Sequence, residues 1–190
     1  MKTSLNFFLI VSCLTVATVQ AEAPRPFLNL GFDLGGEKLA RVIYKDGDTA
    51  SIRANEGGNI SLGLALPLGS GVDLQSSIGY QGINETATNG EVSWRSFPWE
   101  TSIIAHLDRF QIGGGVIYHL SPKFKSGGDL SIGDIEFDDS LGYQAQIAYL
   151  VSTSIASGLT LGVKYTGIDF ENDQRRTNGD STAFFAKLYF

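Results

Sequence analysis

The chain has 190 residues, of which 43% are hydrophobic and 18% are charged, and its formal net charge at pH 7 is −6. This length predicts one domain. Phosphate contacts require Lys and Arg, so an acidic chain is a poor candidate for binding nucleic acid. Beyond the first 21 residues, no apolar run reaches the roughly 18 residues of a membrane-spanning helix, which excludes a helical membrane protein.

Residues 1–21 have the pattern of a cleaved signal peptide. Lys2 supplies the positive charge, Leu5 to Val19 is largely apolar, and Val19-Gln20-Ala21 matches a small-x-small cleavage site. The sequence therefore predicts a signal peptide over 1–21 and a single mature domain over 22–190.

Two other interpretations of this segment stay open. One is an anchor helix that is retained, and the other is a lipoprotein box at Ile10-Val11-Ser12-Cys13, which would leave a lipidated cysteine. Cleavage after Ala21 removes Cys13 and leaves a mature chain without cysteine. Such a chain has no disulfide, no thiol nucleophile and no cysteine ligand for a metal.

Alternation of apolar and polar residues dominates the chain after residue 26, which predicts β-strands. A hairpin is also predicted over 39–52, with its turn at Asp46-Gly47. Proline lacks a backbone donor, so a bulge is expected near Pro98. The eight main strands are predicted at Phe27–Leu34, Asn59–Leu68, Val72–Tyr80, Ser93–His106, Phe110–Leu120, Leu141–Val151, Leu159–Ile168 and Thr182–Phe190.

The connections between these strands alternate in length. Short turns at 69–71, 107–109 and 154–158 separate long connections at 35–58, 81–92, 121–140 and 169–180. This alternation is typical of transmembrane barrels, which have short turns on one side and long loops on the other. The sequence therefore predicts an all-β fold, an eight-stranded antiparallel up-and-down transmembrane β-barrel with both termini on one side.

The last strand has two different faces. Leu188, Ala186 and Phe184 precede Phe190 in steps of two, while Lys187 lies in the other row. This pattern resembles the C-terminal strand of bacterial outer-membrane β-barrels, in which the terminal Phe is the assembly signal. The resemblance implies that the barrel assembly machinery recognises Phe190.

Alternation alone does not distinguish a membrane barrel from a soluble one of the lipocalin type, in which apolar side chains point inward. A small, polar inner row suits the narrow interior of eight strands, and aromatic residues near the strand ends are typical of interfacial girdles. We therefore expect the apolar row to face lipid. The expected girdle residues are Phe27, Tyr80, Trp99, Phe110, Tyr118, Tyr143, Tyr149, Tyr165 and Phe190.

The polar row predicts an ionic network in the barrel interior, because charges buried there require partners. We expect Glu100 and Asp33 to pair with Lys164 and Lys187. The network is interpreted as a packed plug, with a gate whose pairs rearrange to admit ions as the alternative. The predicted network residues are Asp33, Glu100, His106, Gln144, Lys164 and Lys187.

His119 and Ser121 form the one candidate pair for nucleophilic catalysis, with Glu136 or Asp134 to orient the histidine. The segment resembles the His-x-Ser motif of lipid A deacylases, which are outer-membrane barrels, and the resemblance implies lipid A hydrolysis. Two features depart from that family. Pro122 follows the serine, where that family has a polar residue. Alternation turns His119 inward, whereas the site of that family faces the bilayer.

The acidic segments 134–139 and 169–173 alternate charges with apolar residues. They are interpreted as strands that continue beyond the membrane, with weak divalent-cation binding as the alternative. The spacing of an EF-hand is absent, so no metal site and no cofactor are predicted. Lys123, Lys125, Arg175 and Arg176 are candidates to contact lipopolysaccharide phosphates.

Residues 27–190 as a whole resemble the small outer-membrane barrels of the OmpA transmembrane-domain and OmpX type, and barrel-domain proteins with a Tyr-His-Leu-Ser-Pro segment such as that at 118–122. This resemblance implies a bacterial outer-membrane location, periplasmic termini, extracellular long loops, and outer-membrane lipids and lipopolysaccharide as partners. The expected role is non-enzymatic, in envelope structure or surface interaction. The alternatives are a lipid A hydrolase and a narrow gated channel.

Overall fold

The computed structural model describes residues 23–69, 71–88, 90–128, 133–152, 158–173 and 175–190, and the predicted signal peptide with Cys13 lies outside them. The described residues are almost entirely strand. In chain order the strands are β1 (Arg25–Gly35), β2 (Lys38–Ile43), β3 (Thr49–Arg53), β4 (Gly57–Gly69), β5 (Val72–Ala87), β6 (Gly90–Leu107), β7 (Phe110–Gly127), β8 (Ile135–Glu136), β9 (Ser140–Ser152), β10 (Leu159–Gly167), β11 (Asp169–Asn172), β12 (Arg175–Asn178) and β13 (Ser181–Tyr189).

Eight of these strands close into an antiparallel barrel. The order around the wall is β6-β5-β4-β1-β13-β10-β9-β7, and β7 pairs with β6 to close it. The first and last barrel strands are neighbours, with Phe27 opposite Tyr189 and Gly35 opposite Ser181. The predicted eight-stranded up-and-down barrel is therefore confirmed. Closure leaves no unpaired sheet edge around the wall.

The barrel has two different ends. The end at which β1 begins and β13 ends also has the short turns, such as that between β6 and β7 at Asp108-Arg109, and is called the short-turn end. The other end, called the long-loop end, has two added hairpins. One is β2 with β3, where Ile43 lies opposite Thr49, as predicted. The other is β11 with β12, where the acidic segment 169–173 continues as a strand as expected.

Three barrel strands extend well past the predicted boundaries at the long-loop end. β5 has 16 residues, and β6 and β7 have 18 residues each. Most of 81–92 and the start of 121–140, both predicted as loops, are strand. The prediction was wrong there because a strand that leaves the membrane meets water on its outer face, so polar residues on that face resemble a loop.

The outer wall is apolar, as predicted. Leu62 and Ile78 are 60% and 59% exposed, although they lie opposite each other in the middle of β4 and β5. Val163 on β10 is also exposed. Such a surface is unfavourable in water and favourable in acyl chains. No helix in the described part of the chain is long and apolar enough to cross a membrane.

Aromatic rings follow the wall at two levels. Phe110, Tyr149 and Phe190 are exposed near the short-turn end, and Trp99 and Tyr143 are exposed toward the long-loop end. Phe27 is a correction, because it is 3% exposed and packs inside against Tyr189, with ring centroids 5.7 Å apart. Alternation explains this position, since Phe27 shares its row with the buried Asn29.

Candidate functional site in the barrel interior

An ion pair crosses the middle of the interior. Lys164 Nζ on β10 donates to Glu100 Oε1 on β6 at 2.6 Å, and both side chains are largely buried. Next to this pair, Gln144 Nε2 on β9 donates to Ser102 Oγ on β6 at 2.7 Å. These contacts connect strands that are not neighbours in the wall, so they pack the interior and hold separate parts of the wall together.

A second ionic group lies near the short-turn end. Asp73 Oδ2 accepts from an Arg25 guanidinium nitrogen at 2.7 Å and lies 2.8 Å from His106 Nε2. Arg25 also lies over the Tyr189 ring, 5.5 Å from its centroid. His106 is thus bound at this end of the interior and not in the central group that contains Glu100.

Lys187 and Asp33 do not pair with each other, contrary to expectation. Lys187 Nζ donates to Gln75 Oε1 at 2.7 Å, and Asp33 instead contacts Asn59 and Ser181. The reason is the register of β1 and β13, which places Asp33 opposite Ala183, four residues from Lys187.

Aromatic rings stabilise the Lys187 ammonium, with which no carboxylate of the described residues forms an ion pair. Its Nζ lies 4.9 Å from the centroid of Phe27 and 5.4 Å from that of Phe185, within the range of cation–π attraction. Two inward glycines make room for these rings. A Cβ on Gly63 would lie 2.4 Å from the Phe27 ring, and one on Gly162 would lie 2.5 Å from the Phe185 ring.

Toward the long-loop end, the polar interior finishes in a chain of hydrogen bonds. His119 Nδ1 lies 2.9 Å from Ser96 Oγ, which donates to Gln81 Oε1 at 3.3 Å. Gln81 Nε2 donates to the Asn55 carbonyl oxygen at 3.1 Å, and Asn55 Nδ2 donates to Ser181 Oγ at 3.0 Å. Asn55 follows β3, so this chain of bonds connects the β2–β3 hairpin to the barrel.

An apolar cap closes the long-loop end above these bonds. Trp94 and Phe170 form its centre, with ring centroids 5.0 Å apart, and Phe137 lies 5.7 Å from Trp94. The interior was expected to be polar throughout, so the cap is a correction. Its buried residues are Leu39, Ala40, Val42, Ile52, Ala54, Val92, Trp94, Phe124, Phe137, Ile168 and Phe170.

The alternation that reveals strands also contains a signal for this cap. Val92 and Trp94 occupy the inward row of β6, and Val42 and Ile52 lie in the two strands of the predicted hairpin. These side chains point inward above the membrane level. In a strand that extends beyond the membrane, the outer row is polar and the inner row is apolar. This reversal of the two rows was not predicted.

Little space remains between the cap and the short-turn end. The polar interior contains a cavity of about 20 Å³, lined by Glu100, Gln144, Lys164 and Lys187 among others. A water molecule needs roughly 10–15 Å³, so the cavity has room for one or two waters. Aromatic side chains close both ends, with Phe27 and Tyr189 at one and Trp94 with Phe170 at the other.

The three residues of the predicted hydrolase site are not brought together. His119 is fully buried, whereas Ser121 is exposed with φ of 48°. The extra residue of a β-bulge lies here on β7, since Leu120 is opposite Phe97 and Lys123 is opposite Arg95. The bulge lies close to Pro98, as expected, and it turns Ser121 away from the interior.

The partners of these groups also differ from those a hydrolase requires. The Ser121 backbone N–H donates to Asp139 Oδ1 at 2.8 Å, and Lys123 Nζ donates to Glu136 Oε1 at 2.6 Å. Lys123 holds the pKa of the Glu136 carboxyl below its ordinary value. In the described residues, no group of three or more His, Cys, Asp or Glu is arranged to hold a metal ion.

Comparison with known proteins gives a likeness of fold. No protein-family model matches the sequence, and no curated protein matches it significantly. Among solved structures, the crystal structure of Neisserial surface protein A (NspA) aligns with a TM-score of 0.52 and 13% identity over 89% of this chain and 97% of that chain. The outer membrane protein AlkL aligns with a TM-score of 0.49 and 14% identity over 94% and 96%. The chain is therefore an eight-stranded barrel with the fold of the small outer-membrane β-barrel proteins.

Proposed function

We propose that the chain spans the bacterial outer membrane as a closed barrel and presents its long-loop end at the cell surface, in a non-enzymatic role in envelope structure or surface interaction. The observation that carries this proposal is the combination of an apolar outer wall with an interior occupied by the Glu100–Lys164 pair and closed by the apolar cap. A wall of this kind requires lipid, and a filled interior favours a scaffold over a pore.

The orientation follows the general design of such barrels, in which short turns are periplasmic and long loops are extracellular. Here the short-turn end also has the described parts of both termini. Phe190 lies at this end, where its backbone N–H donates to the Pro26 carbonyl oxygen at 3.0 Å and its ring is exposed. An exposed terminal ring on the last strand is accessible to the barrel assembly machinery, the proposed partner during insertion.

Cysteine labelling tests location and orientation together. Lys45→Cys places a thiol in the exposed β2–β3 turn, and Arg109→Cys places one in an exposed short turn, in a background with Cys13→Ser. A maleimide that does not cross membranes is expected to label the first variant in intact cells and the second only after the outer membrane is permeabilised. The reverse pattern, or labelling of neither variant in isolated outer membranes, would reject the proposal.

Conductance measurements separate the closed scaffold from the narrow gated channel. Purified protein in planar bilayers is expected to give no discrete openings, because the Glu100–Lys164 pair and the cap fill the interior. Regular openings by the wild-type protein that disappear when Lys164 is replaced by Met would instead support a gate. Trp94→Ala with Phe170→Ala loosens the cap and serves as the comparison.

A further inference from the structure

A group of cations lies on the outer face of the wall just above the aromatic level. On the β6–β7 pair, Arg95 lies opposite Lys123, and Ser93 lies opposite Lys125. Arg95 and Lys125 are exposed, and Lys123 is partly exposed. Like charges directly opposite each other on one face destabilise a sheet, so an anion between them would stabilise this arrangement.

The described residues compensate only part of this charge. Glu136 pairs with Lys123 through a 2.6 Å contact. No described carboxylate makes an ion pair with Arg95 or with Lys125. Glu91 and Asp134 do line a concavity of about 260 Å³ together with Ser93 and Lys125. Glu91 lies two residues farther from the membrane than Ser93 on β6, and Asp134 precedes Ile135, which lies opposite Phe124, so both acids lie toward the Lys125 end of the group and Arg95 lies at its membrane end.

The other candidate bases are already paired. Arg175 forms an ion pair with Glu37. Arg176 contacts Asp169 at 2.7 Å and Glu171 at 3.4 Å. The groove beside this hairpin is acidic, with Asp138, Asp139 and Asp180 among its lining residues. The structure therefore points to the β6–β7 side, and not to Arg175 and Arg176, as the surface with available positive charge.

The depth of this group fits a lipid headgroup. Phe97 follows Arg95 by two residues on the same outer face, is exposed, and packs edge-on against Tyr80 with ring centroids 5.6 Å apart. Two residues of a tilted strand rise about 5 Å along the membrane normal. Aromatic girdles mark the interface between acyl chains and headgroups, so Arg95 and Lys125 lie at the level of lipid phosphates.

We propose that Arg95 and Lys125, with the Ser93 hydroxyl between them, bind a phosphate of an outer-leaflet glycolipid whose acyl chains lie against Phe97. Arg95 presents a planar pair of donors that suits phosphate oxygens, and Lys125 adds a second charge. The inference rests on the proposed membrane location and assigns a lipid partner to one side of the wall.

The test uses purified barrel in a neutral detergent, titrated with lipid A that has both phosphates and with the same lipid A after the phosphates are removed. Native mass spectrometry gives the dissociation constant for each. Wild-type protein is expected to bind the phosphorylated form at least about tenfold more tightly. Arg95→Gln with Lys125→Gln is expected to remove that preference.

The matched control is Lys38→Gln with Arg41→Gln, which removes one Lys and one Arg from exposed positions on the β2–β3 hairpin. It is expected to keep the preference. If both double variants lose it equally, or if neither does, the site is rejected. Inorganic phosphate added at the same concentration as the lipid is expected not to compete, and full competition would mean that free phosphate is the ligand.

Folding and location are checked separately. Heat-modifiable gel mobility of the Arg95→Gln/Lys125→Gln variant is expected to match the wild type, because both side chains are on the surface. The binding test uses detergent and does not depend on where the protein resides in the cell. A reversed labelling pattern therefore rejects the membrane orientation. Equal binding of the two lipid A forms by wild-type protein rejects the lipid site.

Discussion

Glu100 and Lys164 form an ion pair across the interior, although β6 and β10 are separated in the wall by β7 and β9. Removal of one partner leaves the other charge buried, which costs about 3 to 5 kcal/mol, whereas removal of both costs less. Glu100→Gln is therefore expected to lower the urea midpoint of the folded barrel in micelles strongly. Glu100→Gln with Lys164→Gln is expected to recover part of the loss.

Glu91→Gln is the control for that experiment, since Glu91 is an exposed carboxylate on the same strand. It is expected to change stability by less than about 0.5 kcal/mol. A Glu100→Gln variant as stable as the Glu91→Gln variant would show that the central pair does not hold the barrel together.

The apolar cap is expected to fix the β11–β12 hairpin. Phe170→Ala removes a fully buried ring beside Trp94 and is expected to cost about 3 to 5 kcal/mol in local stability. Trypsin should then cleave faster at Arg175 and Arg176, which can be followed by mass spectrometry. Phe184→Ala, which removes an exposed ring on the outer wall, is expected to leave cleavage unchanged, and equal cleavage in both variants would contradict the packing role of Phe170.

The carboxyl of Glu136 gives a pH-dependent contact in the long-loop region. Its pKa is lowered mainly by the hydrogen bond and charge of Lys123. A lowered pKa means that the contact stabilises the fold above the pKa of the unfolded chain, and that this contribution disappears as pH falls through the folded pKa. NMR titration is expected to show a Glu136 pKa below that of an ordinary Glu.

Lys123→Gln provides the comparison for that titration. It removes the largest cause of the shift, so the pKa of Glu136 is expected to rise toward its ordinary value. A Glu136 pKa that stays low in the Lys123→Gln variant would assign the shift to other neighbours, such as Lys125 and Arg95.

Ser121→Ala tests the hydrolase alternative. His119 Nδ1 contacts Ser96, and Ser121 points outward across the bulge, so His119 is not placed to activate the serine. Cells that overproduce wild type or Ser121→Ala are expected to have the same lipid A masses as cells without the protein. Loss of an acyl chain with the wild type, absent with Ser121→Ala, would establish the enzyme.

Sequence reasoning predicted the wall well because lipid imposes one rule on every strand that crosses it. Leu62, Ile78 and Val163 face outward for the same reason that Glu100 and Lys164 face inward. The fold, strand count and chain order follow from that rule together with the alternation of short and long connections.

The features that were not predicted lie mainly where lipid no longer determines which side chains face outward. Above the membrane the outer face becomes polar, so Asn84 and Lys125 were assigned to loops although their strands continue. The bulge at Ser121 depends on one residue in a left-handed conformation, which alternation does not reveal. The partner of Lys187 depends on register between strands, so its contact with Gln75 was not predictable from strand positions alone.

Asn55 joins the segment after β3 to the start of β13, because its side chain reaches the Gly179 carbonyl oxygen and the Ser181 hydroxyl. The bases of the β2–β3 and β11–β12 hairpins are thus bonded to each other, so neither hairpin is an independent unit. A foreign peptide inserted at Asp46–Asp48 would leave these contacts intact. Exchange of a whole hairpin would remove contacts that support the neighbouring hairpin.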